Sequence, residues 1–175
     1  MGLKQKNIVI TSAARTAIGA FRGSLKKMQA HDLGSIVIKE VIKKSNLNSN
    51  DVDEIIMGQV LTGATGQNPA RQTAILAKMP VEKTAYVINQ VCGSGLASIA
   101  LAFNSIKCGD GNVMIAGGQE SMSNAPHFIN LRNGFKIGPG TLSDSMIIDG
   151  LWDIYNNYHM GTTAENVAEK YQITR

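Results

Sequence analysis

The chain has 175 residues, 43% of them hydrophobic and 17% charged, with a formal net charge of +4 and two cysteines. That is enough chain for one core, and two cysteines do not make a disulfide framework, so the composition fits a globular protein of a reducing, cytoplasmic setting. No apolar run approaches the length of a bilayer span and no aromatics are interleaved with the lysines, so neither a membrane nor a nucleic acid is an expected partner.

In chain order, Asn7 to Thr11 reads as a short apolar strand, and Thr11, Ser12 and Arg15 then break the stretch too early for a signal-peptide core. His31 to Lys44 places Leu33, Ile36, Val37, Val41 and Ile42 at helical spacing, with lysines opposite. Those lysines, with Lys26 and Lys27, suit a solvated helix face or an anionic ligand such as a nucleotide phosphate. Glu54 to Leu61 is a second strand. Asn68-Pro69 opens a helix, Asn68 as cap and Pro69 at the first helical position. Thr84 to Asn89 is a third strand, Gly95 to Cys108 a helix closed by Gly109, and Asn112 to Ala116 a fourth strand. This alternation predicts an α/β layer with a parallel or mixed sheet. From Glu120 to Tyr158 the text turns to Asn, Gly, Ser and Met with weak periodicity, which predicts an inserted, loop-rich segment. Thr162 and Glu165 then match a capping box that starts a helix running to Tyr171.

Cys92 is the candidate for chemistry. It stands in "INQVCGSGLAS", between the third strand and its helix, where α/β folds bind ligands and where helix N–H groups favour a thiolate. The helix terminus supplies only ~0.3–1 kcal/mol, at best ~2. A nucleophile here therefore wants a neighbouring base, most often a histidine. His31, His127 and His159 stand at no spacing that identifies one as that base. From spacing alone, a reactive thiol and a buried, small apolar cysteine are equally good readings. Cys108, at a helix end, reads as structural. A rival pattern overlaps the same stretch: Gly93-Ser94-Gly95-Leu96-Ala97-Ser98 nearly matches the dinucleotide fingerprint, with Glu120 as the acidic residue downstream, but Ser98 replaces the third glycine.

Three strings carry a family resemblance: "NQVCGSGLASI", "AGGQESMSNAPH" and "YHMGTTAENVAEKY". In this order and spacing they resemble the thiolases, and most closely the N-terminal part of the biosynthetic type, from about Ile8 to the last residue. The resemblance implies a thiolase-like layered α/β fold, with helices packed on a mixed sheet. Residues 1–119 would form an incomplete N-terminal core, and residues 120–175 the truncated start of a loop domain that covers coenzyme A. It also implies reversible condensation of two acetyl-CoA to acetoacetyl-CoA and free CoA, through an acetyl group carried by Cys92. The Cys92 amide would help hold the oxyanion.

Positions matching the family's CoA-contacting residues are Leu151, His159 and Met160. A histidine before Met160-Gly161 could, from its residues alone, simply pack in a loop; the family context makes it a lining of the thioester or pantetheine end. Acetyl-CoA and CoA are substrates, and no cofactor and no metal are expected. Gln67, and the stretch from Asn130 through "NGFKIGPG", match regions where the family meets its dimer partner and builds its tetramer, so a homo-oligomer, a dimer of dimers, is implied. Complete thiolases are much longer, and their second half supplies a histidine, a second cysteine and an asparagine whose motifs do not occur here. The alternative is a non-catalytic remnant or acyl-CoA-binding fragment. A β-ketoacyl synthase shares the strand-to-helix cysteine, but "HMGTTAEN" argues against it.

Overall fold

The computed structural model describes residues 7–134 and 137–175. Two compact units divide the chain, Met1–Asn124 and Ala125–Arg175. The sequence changes texture at 119/120, but residues 121–124 are tied back to the first unit. Ser121 Oγ and Asn124 Nδ2 donate to the Met28 carbonyl at 2.9 and 2.8 Å, and the Arg22 N–H donates to Ser123 Oγ at 2.9 Å.

The first unit is built on three parallel strands, β1 (Glu54–Gly58), β2 (Thr84–Ile88) and β3 (Met114–Gly118), in the order β2-β1-β3. β1 is central, and its residues 55 to 58 are all buried. Alternation along the strands sends Ile55, Met57, Ala85, Val87, Val113 and Ile115 to one face. There they pack with Ile38 of helix α1 (Ala30–Ser45) and with Ala70 and Ala74 of helix α2 (Pro69–Leu76). Asn68 caps α2 as its sequence predicts, its Oδ1 accepting from the Arg71 N–H, while its Nδ2 reaches across to the Ala85 carbonyl.

Helix α3 (Ser94–Cys108) covers the other face. It docks through small residues: Ser94, Ser98 and Ala102 are buried at i, i+4 and i+8. Ser98 Oγ lies 2.7 Å from the Gly95 carbonyl and 2.9 Å from that of Gly117, so the helix is tied to β3. The helix ends at Gly109, whose φ of 91° is the left-handed cap that only glycine adopts without cost. Leu96, Ile99 and Phe103 on the outer face remain 41–76% exposed.

Two sequence expectations do not hold here. Asn7 to Thr11 forms no strand; Val9 and Ile10 are exposed. An apolar run becomes a strand only with a ladder partner, and neither β2 nor β3 takes this segment on its free edge. The stretch Val91–Cys108, with a mean hydropathy of 1.3, is also long and apolar enough to cross a membrane by length and composition. Its small, serine-bearing face is the one laid against the sheet, which is the pattern of a layer helix.

The second unit has two-residue antiparallel ladders: β4 (His127–Phe128) with β5 (Ser143–Asp144), and β6 (Trp152–Asp153) with β7 (Tyr158–His159). A single π-helical turn, Met146–Leu151, joins β5 to β6. Helix α4 (Met160–Tyr171) follows. Its cap is His159 and not Thr162: His159 Nδ1 accepts the Gly161 N–H at 2.9 Å, and Thr162 lies inside the first turn.

Candidate active site

The C-terminal ends of three parallel strands meet in one register, Gly58 opposite both Ile88 and Gly118. In an open α/β sheet this is the edge that binds ligands. Cys92 stands just past Ile88, between β2 and α3, and is exposed. Of the two readings that spacing left open, the buried apolar cysteine is thereby removed. Cys108, read as structural, is exposed as well.

The turn that presents Cys92 is tightly built. Val91 has φ 50°. For a β-branched residue that region costs on the order of 1–3 kcal/mol, and strain of this kind gathers at functional sites. Asn89 Oδ1 accepts the Val91 N–H at 2.8 Å, and the Gly93 N–H donates to the Gln90 carbonyl at 3.1 Å. Ser94, only 4% exposed, accepts the Gln90 N–H at its Oγ and donates to the Val91 carbonyl. Among the described residues the Cys92 N–H has no acceptor, and no side chain is hydrogen-bonded to its sulfur. An unclaimed N–H beside an exposed thiol is what an acyl-transfer oxyanion needs.

Close approach of α3 to β1 sets where this turn sits. A Cβ on Gly58 would fall 2.5 Å from the Ser94 carbonyl carbon and 2.6 Å from Ser94 Cβ, so only glycine lets the helix begin there. Behind the edge lies a buried polar chain. Thr73 Oγ1 is 2.6 Å from Gln119 Oε1, Gln119 Nε2 donates to Gln59 Oε1, and Gln59 Nε2 donates to the Leu61 carbonyl. Glu120 completes it, accepting the Val60 N–H at 2.8 Å and the Leu61 N–H at 3.3 Å. Burial raises the Glu120 carboxyl above its ordinary value, against those backbone bonds.

These contacts dispose of the dinucleotide reading. Glu120 is engaged by the β1 loop and is not offered to a ribose, and Ser98 fills the third-glycine position with a buried, bonded hydroxyl. Ser94, Asn89 and Glu120 carry no sequence signal for these roles. Only their place beside the cysteine and at the end of β3 could have pointed to them.

The lysine-rich face of α1 is a separate feature. Lys39 and Lys43 line a cavity of about 320 Å³ with Arg15, Thr16, Ile36 and Glu40. Among the described residues no group of three or more metal-ligating side chains is gathered.

In the second unit, Leu151 ends the π turn, His159 lies in β7, and Met160 opens α4. Trp152 pairs with His159, so Leu151 and Met160 flank one end of the same short ladder, and the three residues come together. Because His159 Nδ1 is an acceptor, the neutral ring carries its proton on Nε2, a donor suited to a carbonyl. π turns are rare and are frequent at functional sites. Phe135 and Lys136, within the stretch matched to tetramer formation, lie outside the described residues.

Residues 8–175 match the family description "Thiolase, N-terminal domain". The chain belongs to the thiolase family. It is 55% identical over 170 residues to the acetyl-CoA acetyltransferase of Cupriavidus necator, an alignment covering 97% of this chain and 43% of that relative. The acetyl-CoA acetyltransferase of Paracoccus denitrificans is 54% identical, covering 95% and 43%. The cytosolic acetyl-CoA acetyltransferase of Rattus norvegicus is 49% identical, covering 96% and 42%. The chain thus spans about 43% of the length of these curated thiolases.

Proposed function

We propose that this thiolase chain supplies the nucleophile half of an acetyl-CoA C-acetyltransferase, a cytoplasmic enzyme that needs no cofactor. One observation carries the reading: Cys92 is exposed at the sheet's C-terminal edge, with its own amide unclaimed. The Cys92 thiolate attacks the carbonyl carbon of acetyl-CoA, and the Cys92 N–H donates to the oxyanion. The bond from that carbon to the CoA sulfur then breaks, leaving acetyl-Cys92 and a CoA thiolate that takes up a proton. The exchange replaces one thioester by another, so it runs both ways. Carbon–carbon bond formation next requires a base to remove a methyl proton from a second acetyl-CoA. The resulting carbanion attacks the acetyl-Cys92 carbonyl, the C–S bond breaks, and acetoacetyl-CoA is released.

Leu151, His159 and Met160 are the positions proposed to line the CoA side, Leu151 and Met160 against the pantetheine chain and His159 Nε2 toward a carbonyl. A homo-oligomer, a dimer of dimers, is the proposed assembly, in keeping with the family's pattern around Gln67 and Asn130.

A second reading, an acyl-CoA-binding remnant without turnover, draws on the absence of a hydrogen-bonded base at the Cys92 sulfur among the described residues. Intact-mass measurement after incubation with acetyl-CoA separates the two. The transferase reading expects one acetyl adduct, kept in Cys108→Ser and lost in Cys92→Ser. A folded sample that takes no acetyl group favours the remnant.

A further inference from the structure

Ser94 does more than begin a helix. Its hydroxyl is spent on both sides of the turn, accepting the Gln90 N–H at 2.8 Å and donating to the Val91 carbonyl at 2.6 Å. The Ser94 N–H donates to that same Val91 carbonyl at 3.1 Å. Val91 O and the Cys92 N–H belong to one planar trans peptide, so they point in opposite directions. Two donors on Val91 O from one side therefore aim the Cys92 N–H to the other.

The same turn carries Val91 at φ 50°, a region that a β-branched residue occupies only at a cost. Ser94 itself has no freedom to turn: it is 4% exposed and packed against Gly58. Its hydroxyl is buried and already bonded within the turn.

We infer that Ser94 is a positioning residue for acyl transfer to Cys92, orienting the Cys92 amide toward the oxyanion by clamping the Val91–Cys92 peptide. This rests on the acyl-transfer reading above. Its consequence is a split between two reactions of one sulfur. Acetylation by acetyl-CoA develops an oxyanion and depends on the amide; alkylation by iodoacetamide is a displacement at saturated carbon and does not.

The test uses the 175-residue chain in a Cys108→Ser background, with adducts mapped to Cys92 by peptide mass. Ser94→Ala is expected to slow acetylation about tenfold, the scale of one lost turn hydrogen bond, while alkylation changes no more than about twofold. Val91→Gly added to Ser94→Ala is expected to restore part of the acetylation rate, because glycine takes positive φ without strain. Should Ser94→Ala not fold alone, the double variant is compared with Val91→Gly, and a smaller split in the same direction is expected, since glycine takes over part of what the hydroxyl does. Equal acetylation with and without the hydroxyl overturns the positioning role while leaving the acyl-transfer reading intact. Acetylation and alkylation falling together overturns it as well, since that is loss of structure. An unreactive parent chain that nevertheless alkylates at Cys92 overturns the acyl-transfer reading itself.

Discussion

The two units hold their candidate residues by different means. In the first, Cys92 is placed by a sheet whose central strand is buried from Ile55 to Gly58, and by a helix seated so closely that a glycine is required beneath it. In the second, Leu151, His159 and Met160 sit on a two-residue ladder, a single π turn and the first turn of α4, and none of the three is buried. Position by packing is stiff, and a change of one methyl group is felt. Position by local caps and turns is adjustable, and opens at lower cost. The nucleophile and the proposed CoA-lining residues should therefore answer mutation in different ways.

The sharpest break of this contrast is Gly58→Ala. Its new methyl meets the backbone of Ser94 and Gly95, which cannot rotate away. We expect a loss near the top of the ~1–3 kcal/mol range for overpacking, seen as a lowered denaturant midpoint, together with slower Cys92 acetylation. A variant as stable and as reactive as the parent would mean that α3 is free to shift. Thr73→Val comes next. It keeps the volume but leaves Gln119 Oε1 without its hydroxyl partner in a buried chain, a cost of ~1–3 kcal/mol for an unsatisfied acceptor. An unchanged midpoint would show that the Gln59–Gln119–Thr73 chain does not brace the strand edge.

Much of the stiff unit is legible in the sequence. Helical spacing marks α1, Asn68-Pro69 marks the start of α2, and Gly109 marks the end of α3, because each signal is local and backed by burial on one face. Cys92 is legible as a place, since strand, glycine and helix follow one another. Its accessibility is not, because exposure is a property of the packed layers. The strand expected at Asn7 to Thr11 fails for a related reason: a ladder needs a second strand that local text does not name. The capping box at Thr162 matches in pattern, but the chain enters α4 earlier, where an imidazole nitrogen does the work of a hydroxyl. No residue pattern announces the π turn or the capture of Glu120 by two amides of the β1 loop.

Glu120 gives a smaller, pH-dependent effect. Its carboxyl is raised by burial, so the folded state holds the proton more tightly than the unfolded chain. The stability it contributes is full below the ordinary glutamate value and is lost as pH rises through the raised folded value. Glu120→Gln cannot ionise, so the fall in stability as pH rises from the ordinary carboxylate range through the raised folded value should flatten. Identical slopes for the two proteins in urea midpoints would remove Glu120 as their source.

The smallest expected effect lies in the adjustable unit. His159 Nδ1 satisfies one of the orphan N–H groups at the start of α4, and its ring is exposed. Removing it in His159→Ala should cost ~0.5–1 kcal/mol, the lower part of the range for an N-cap. Asparagine is a strong cap, so His159→Asn should restore that loss while still lacking the imidazole Nε2–H. The two substitutions therefore separate the cap from the proposed contact with a CoA carbonyl. Hydrogen exchange at Gly161 to Thr163 should quicken in His159→Ala and return to the parent rate in His159→Asn, with the β1 amides as the unaffected control. Acetylation of Cys92 at limiting acetyl-CoA should be slowed in both. If His159→Asn restores exchange and acetylation alike, the ring is a cap and nothing more, and the CoA-lining role passes to Leu151 and Met160 alone.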